Sequence, residues 1–71
     1  MLISSYNIGD YKVTIKKLSL GYTFTIKTKI NNKLTTVGQS YIYYANLDKC
    51  MQDSYARLEE IMCVRSMFVI M

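Results

Sequence analysis

Hydrophobic and polar residues alternate along the first half of the chain, which is the pattern of half-buried β-strands. The run over 22–30 is the clearest. It places Tyr22, Phe24 and Ile26 on one face and threonines and lysines on the other. The same alternation covers residues 11–16, and looser runs cover 2–8 and 34–37. Glycine or asparagine separates the runs and suits tight turns. The pattern predicts an antiparallel β-meander of three to five strands over about residues 2–44.

The period of the pattern changes after residue 45. Asn46 is a favourable helix N-cap, and apolar residues then recur at spacings of three and four as far as Met62. This spacing predicts one amphipathic helix over about residues 46–64, with an Asp53–Arg57 ion pair on its outer face. The sheet and the helix each have one apolar face, so we expect an α+β fold in which the two pack together.

Two stretches around these elements have less regular patterns. Gly38-Gln39 interrupts the last strand, and we expect Tyr41–Tyr44 to continue that strand after a bulge. The β-branched pair Val69-Ile70 favours a terminal strand over residues 66–70.

With 71 residues, the chain is expected to form one domain over 1–71 with a thin core. Domains of this size usually need a disulfide, a metal or a partner subunit for stability. Hydrophobic residues make up 51% of the chain, and residues 67–71 are all apolar. An exposed apolar end of this kind is typical of an interface, which favours a homodimer.

The numbers of cysteine and histidine residues argue against a disulfide or a metal as the stabilising feature. The chain has two cysteines, Cys50 and Cys63, and no histidine, which is too few ligands for a zinc site. On one helix these thiols would lie roughly 20 Å apart, too far for a disulfide. Reduced thiols, together with no recognisable signal peptide or membrane-spanning run, predict a cytoplasmic protein.

Catalysis is not expected, because the residues that it normally uses are missing. Without histidine the commonest general base is absent, and the three glycines are too isolated to form a phosphate-binding loop. The carboxylates fall on the outer faces of the predicted helix. The sequence therefore predicts no catalytic residue, no metal and no cofactor.

Basic charge is concentrated in the sheet half of the chain. Residues 1–45 carry six lysines and one aspartate, for a net charge of +5, whereas residues 46–71 carry three basic and four acidic residues, for −1. Four of the lysines would project from the polar sheet face: Lys12, Lys16, Lys27 and Lys29. That face fits an ordinary solvated sheet, a nucleic-acid surface or a contact with an acidic protein.

Tyrosine is the second candidate for a binding function. Seven of the 71 residues are tyrosines, and Tyr41, Tyr43 and Tyr44 lie together just before the helix. Strand alternation would direct at least one of them away from the core, where tyrosine suits protein interfaces and base stacking. Core packing and an interface role both remain open for the cluster.

The segment Tyr43-Tyr44-Ala45-Asn46-Leu47, followed by a helix that ends in Leu58-Glu59-Glu60-Ile61, resembles small proteins of phages and mobile elements. In these proteins a β-meander, an aromatic pair, a capping residue and one closing helix follow each other. The resemblance implies a protein that binds its target stoichiometrically, such as an anti-CRISPR-like inhibitor of a host nucleic-acid enzyme.

We therefore expect a non-catalytic protein-binding module, with a small nucleic-acid-binding regulator as the alternative. The expected partner is a host protein, and the resemblance favours a nucleic-acid enzyme. The expected contact residues are Lys12, Lys16, Lys27, Lys29, Tyr41, Tyr43 and Tyr44.

Overall fold

A computed structural model describes the backbone of residues 2–70 and the side chains of residues 2–64. The elements are β1 (Leu2–Ile8), β2 (Tyr11–Leu18), β3 (Gly21–Ile30), β4 (Lys33–Gln39) and α1 (Leu47–Ile70). The strands form one antiparallel sheet in the order β1-β2-β3-β4, and α1 packs on one face. The predicted α+β fold with a β-meander and one helix is confirmed.

Short turns with suitable residues connect the strands. Gly9 begins the β1–β2 turn with φ +58°, and the β3–β4 turn has φ +54° at Asn31 and +67° at Asn32. Asparagine tolerates these left-handed conformations better than most residues. In the β1–β2 turn, the Thr28 hydroxyl donates to the Asp10 carbonyl at 2.9 Å, so a buried β3 side chain satisfies a turn backbone group.

The core lies between α1 and one face of β2 and β3. Its buried hydrophobic residues are Tyr11, Val13, Ile15, Phe24, Ile26, Cys50 and Leu58. The strand residues in this set are those that the alternation predicted to share a face. The opposite sheet face has no layer over it within the described residues, and we call it the open face.

Helix α1 begins where the sequence predicts. The side-chain oxygen of Asn46 accepts from the amides of Asp48 at 2.7 Å and Lys49 at 3.3 Å, which is N-cap geometry. Farther along, Ser54 is fully buried and its Oγ lies 2.9 Å from the Tyr6 hydroxyl of β1. Tyr6 also stacks on Tyr55, with ring centroids 4.7 Å apart. The helix is thus joined to the first strand as well as to the middle of the sheet.

The predicted terminal strand over residues 66–70 is wrong, because α1 continues to Ile70. No glycine, proline or asparagine follows Val64 to end the helix. The low helix propensity of valine and isoleucine amounts to only a few tenths of a kcal/mol per residue, which is too little to stop an established helix.

The end of β4 also differs from the expectation. The irregularity in pairing falls at Val37, since Lys27 pairs with Thr36 and Ile26 pairs with Gly38. Gly38 is a buried strand residue and not a turn residue, because the side chain of Ile61 lies over it. Residues 41–44 do not continue the strand. Only Tyr44 rejoins the sheet, through an isolated bridge to Tyr22.

Within residues 2–70, no helix has both the length and the apolar content that crossing a membrane would require.

Candidate partner-binding site

The register of the sheet places the four predicted lysines on the open face. Lys12 is directly opposite Lys27 across β2 and β3, Lys16 is opposite Thr23, and Lys29 is opposite Leu34 of β4. Directly opposite residues of antiparallel strands project from the same face, with Cβ atoms about 5 Å apart. The sequence prediction that these lysines share one surface agrees with this register.

No carboxylate balances this charge on the described open face. By register the other side chains of this face are polar or aliphatic: Leu2, Ser5, Asn7, Thr14, Leu18, Thr23, Thr25, Leu34, Thr36 and Gln39. The two salt bridges that the structure contains among its described side chains both lie on α1. Two lysines directly opposite each other repel, so this arrangement opposes sheet stability and favours an external anion.

Tyr41, Ile42 and Tyr43 form a loop that projects from the end of the sheet, which we call the tyrosine loop. The Ser40 amide donates to the Phe24 carbonyl at 3.0 Å, and the chain next pairs with β3 at Tyr44. The three intervening residues are displaced from the strand. Tyr41 is 82% exposed, Ile42 60% and Tyr43 49%. The exposed role that the sequence left open for the cluster therefore applies to Tyr41 and Tyr43.

Tyr44 has a different role, because it anchors this loop to the core. Its ring stacks on Phe24 with centroids 6.2 Å apart, and its hydroxyl is close enough to the Asp53 carboxylate for that group to affect its pKa. Burial, together with the proximity and negative charge of Asp53, raises the pKa of Tyr44 from 10.0 to about 12. Tyr44 is half-buried and positions its neighbours.

The lysines and the tyrosines do not form one compact patch. The tyrosine loop is beside Phe24 and Tyr22 at the start of β3, whereas Lys29 is near its other end. The seven residue steps from 22 to 29 span about 23 Å of strand. A partner that contacts every predicted residue would have to cover most of the sheet length.

Sequence reasoning missed a groove between β4 and α1. It has two adjoining hollows of about 360 and 330 Å³, and Arg57 and Glu60 line both of them. The first hollow is also lined by Phe24, Tyr41, Ile42, Tyr44 and Asp53, and the second by Val37, Ile61 and Val64. The sequence indicated the groove only weakly. The groove depends on Gly38, and the sequence pattern suggested that Gly38 was a turn residue.

Arg57 lies at the junction of the two hollows. Its expected partner was Asp53, but Asp53 instead pairs with Lys49 at 3.4 Å, and Arg57 Nη1 lies 3.6 Å from a Glu60 oxygen. The Arg57 Nε is buried and has no hydrogen-bond partner among the described residues. An unsatisfied buried donor of this kind costs about 1–3 kcal/mol.

The two thiols are free and lie in different environments. Cys50 is buried, and burial with the nearby Asp53 charge raises the pKa of its thiol, whereas Cys63 is exposed. Among the described side chains, no three Cys, Asp or Glu residues come close enough together to hold a metal ion.

No protein-family model, characterised protein or solved structure was found that matches the chain. The case for a function therefore depends on the surfaces described above.

Proposed function

We propose that this protein is a non-catalytic protein-binding module whose open face contacts an acidic surface of its partner. The observation that carries the proposal is the direct opposition of Lys12 and Lys27 on a face without carboxylates. If this face only contacted solvent, an acidic residue in place of Lys12 or Lys27 would make the sheet more stable. Lys16 and Lys29 extend the same positive surface along β2 and β3.

The tyrosine loop supplies the apolar part of this proposed interface. Charged contacts mainly give orientation and association rate, whereas rigid aromatic side chains give most of the affinity. Tyr41 and Tyr43 are exposed and are held in place by Tyr44. A partner of ordinary interface size, with about 800 Å² buried on each side, could cover the loop and part of the lysine face together.

The more specific form of the proposal is an anti-CRISPR-like, phage-type inhibitor of a host nucleic-acid enzyme that acts in the host cytoplasm. It is supported by the resemblance of about residues 22–62 to small phage and mobile-element proteins. Enzymes that act on nucleic acids usually have basic substrate channels, so a basic inhibitor would have to bind an acidic surface elsewhere on the enzyme.

Affinity capture of the tagged chain from nuclease-treated host lysate, followed by mass spectrometry, tests this function. We expect one protein in stoichiometric amount, and the Tyr41→Ala/Tyr43→Ala variant should recover much less of it. If treated lysate yields no protein partner while untreated lysate yields nucleic acid, the proposal is wrong.

Direct nucleic-acid binding is the second candidate, because the same lysines and exposed tyrosines could contact phosphates and stack on bases. If four lysines each neutralise one phosphate, raising the salt from 50 to 200 mM should weaken binding to duplex DNA by about 100-fold. Affinity for DNA that is independent of salt would exclude this candidate.

Self-association is a further part of the proposal. Met62 and Val64 are exposed on α1, and the helix continues beyond them through an apolar sequence. A homodimer that covers the C-terminal part of α1 would remove apolar residues of this segment from water. Sedimentation equilibrium should then give twice the chain mass of 8.3 kDa, and a concentration-independent single mass would contradict it.

A further inference from the structure

The outer edge of β4 offers backbone groups to another strand. Among the described residues, β4 is the last strand of the sheet and pairs only with β3. The two-residue turn between these strands has positive φ at both asparagines, and such a turn makes Ile30 and Lys33 a hydrogen-bonded pair. Hydrogen-bonded and non-hydrogen-bonded pairs alternate along an antiparallel ladder, so Leu34 and Thr36 direct their N–H and C=O groups outward.

This edge lacks the features that usually protect an edge strand. β4 contains no proline, and its one charged residue, Lys33, is at its start. On the described part of β1, the other edge strand, Tyr6 fills the space toward α1 by stacking on Tyr55. Beside β4, the two hollows described above remain open. A strand added to β4 would therefore gain side-chain contacts that β1 does not offer.

A second copy of β4 matches this edge in register. Antiparallel pairing about a two-fold axis at Thr35 places Leu34 of each copy opposite Thr36 of the other, so the outward groups of all four residues form hydrogen bonds. Directly opposite residues project from the same face, and Leu34 and Thr36 are both on the open face. Leu34 is 58% exposed, and the two leucines would be diagonal neighbours about 7–8 Å apart. The sequence of β4 is thus self-complementary about Thr35.

The charges beside this edge complement each other in the same arrangement. Lys33 of one copy would lie opposite Val37 of the other, on the side of the sheet that faces α1. Val37 lines the second hollow together with Glu60. Glu60 approaches Arg57 through one oxygen at 3.6 Å, and its side chain is 66% exposed. A carboxylate has about four lone-pair sites, so Glu60 can accept a second cation, which Lys33 of the other copy supplies.

The other positive charges do not prevent this pairing. The two Lys33 residues would be four residue steps apart along the paired strands, or about 14 Å. Lys27 and the second copy's Lys29 lie opposite Thr36 and Leu34, so they would be three strand spacings apart, also about 14 Å. Both separations exceed the Debye length of about 8 Å at physiological ionic strength. The pairing also leaves the open face of each copy uncovered.

We propose that two copies of this chain pair through their β4 edges about Thr35, with Lys33 of each copy paired to Glu60 of the other. The two four-stranded sheets then form one continuous sheet. Val64 of α1 also lines the second hollow, so this interface adjoins the C-terminal part of α1. The inference rests on the self-association proposed above and names its surface, whereas the proposed binding of an acidic partner is independent of it.

Hydrogen exchange of the ¹⁵N-labelled full chain, measured by NMR at increasing protein concentration, tests the backbone pairing. In the dimer the amides of Leu34 and Thr36 should exchange about tenfold more slowly or less. The amides of Lys33 and Thr35 already bond β3 and should change little. Sedimentation equilibrium on the same samples gives the fraction of dimer. A dimer in which Leu34 and Thr36 keep their exchange rates would overturn the proposal and leave self-association through α1 standing.

Charge variants test the side-chain contact. Lys33→Glu should weaken the dimer about tenfold or more, because the two-fold symmetry replaces both attractive contacts by like charges at once. The exchange Lys33→Glu/Glu60→Lys should restore the dimer affinity to within about threefold. Lys49→Glu makes the same change of charge on the outer side of α1 and is the matched control, with an expected effect below about twofold.

The proposal is overturned if the chain stays monomeric at millimolar concentration, if Lys33→Glu and Lys49→Glu weaken the dimer equally, or if the charge exchange does not restore it. A monomer would also contradict the proposed self-association. A monomer that still captures a protein partner through its lysine face would leave the proposed binding function standing, so the two failures are distinguishable.

Discussion

Tyr22 and Tyr44 exchange two backbone hydrogen bonds, with N–O distances of 2.8 and 2.9 Å, although three residues of the intervening chain have left the sheet. This single bridge fixes the end of the tyrosine loop just before α1 begins. It forms against Gly21, whose missing side chain lets the Tyr44 carbonyl approach. The end of the tyrosine loop therefore depends on one glycine and one two-bond contact.

Gly21→Ala should destabilise the protein by about 2–3 kcal/mol. The new Cβ would lie 2.7 Å from the Tyr44 carbonyl oxygen and 3.2 Å from Tyr43 Cβ, at a φ of +142° that favours glycine. Urea unfolding followed by circular dichroism measures the change. Gly9→Ala is the matched control. At φ +58° it has no atom within 4 Å of its Cβ, so we expect a loss of only about 1–2 kcal/mol from the backbone strain. Equal losses in the two variants would contradict the role of Gly21.

The sequence predicted most of the fold because local signals agreed with the tertiary structure. Strand alternation predicted the buried faces of β2 and β3, and Asn46 predicted the start of α1. The β-branched residues did not predict where α1 ends. Their preference for strands is weaker than the tendency of an established helix to continue where no helix-breaking residue occurs. Gly38 lies under Ile61 because of where α1 crosses β4. No local sequence pattern specifies that crossing point.

The candidate site was predictable only in part. Strand alternation alone predicted that the lysines share one face. Which of them lie opposite each other depends on the strand register, which the turns fix. The three tyrosines looked equivalent in sequence, and the structure separates Tyr44 from the other two through Phe24 and Asp53. The Arg57 groove arises from long-range packing and was only weakly indicated by the sequence.

The contact between Tyr6 and Ser54 should appear as an energetic coupling between β1 and α1. Ser54 donates to the Met51 carbonyl at 2.7 Å, so the Tyr6 hydroxyl donates to Ser54. A double-mutant cycle with Tyr6→Phe and Ser54→Ala should give a coupling of about 1 kcal/mol in the free energy of unfolding. The control cycle pairs Tyr6→Phe with Thr35→Ala on β4, and its effects should add within about 0.5 kcal/mol. A Tyr6–Ser54 coupling no larger than the control would show that this bond adds nothing measurable.

Stability should fall between pH 10 and pH 12 in a way that depends on Tyr44. Its pKa is 10.0 when unfolded and about 12 when folded, mainly because burial disfavours the phenolate. The folded chain then holds a proton that the unfolded chain releases, so this contribution is complete below pH 10 and is lost as pH rises to 12. Chemical denaturation at several pH values should show a shallower decline for Tyr44→Phe. The same slope in both proteins would contradict the raised pKa of Tyr44 in the folded chain.

The two thiols should differ in reactivity. Burial raises the pKa of the Cys50 thiol and also blocks access to it, whereas Cys63 is exposed. Brief treatment of the native protein with iodoacetamide at pH 8 should therefore add one label, at Cys63, and denatured protein should take two. Peptide mapping by mass spectrometry identifies the labelled site. Labelling of Cys50 at a similar rate in the native protein would contradict its position in the core.

The central claim is that the lysine face binds an acidic protein surface, and paired charge reversals test it most directly. Lys12→Glu/Lys27→Glu alters the open face, whereas Lys33→Glu/Lys49→Glu alters lysines elsewhere. Each pair changes the net charge from +4 to 0, so a difference between them reports position and not total charge. The measurement is the affinity of each variant for the captured partner by calorimetry. We expect the open-face pair to weaken binding by about 100-fold or more and the control pair by less than about fivefold. Equal affinities for the two variants would contradict the proposed role of the lysine face.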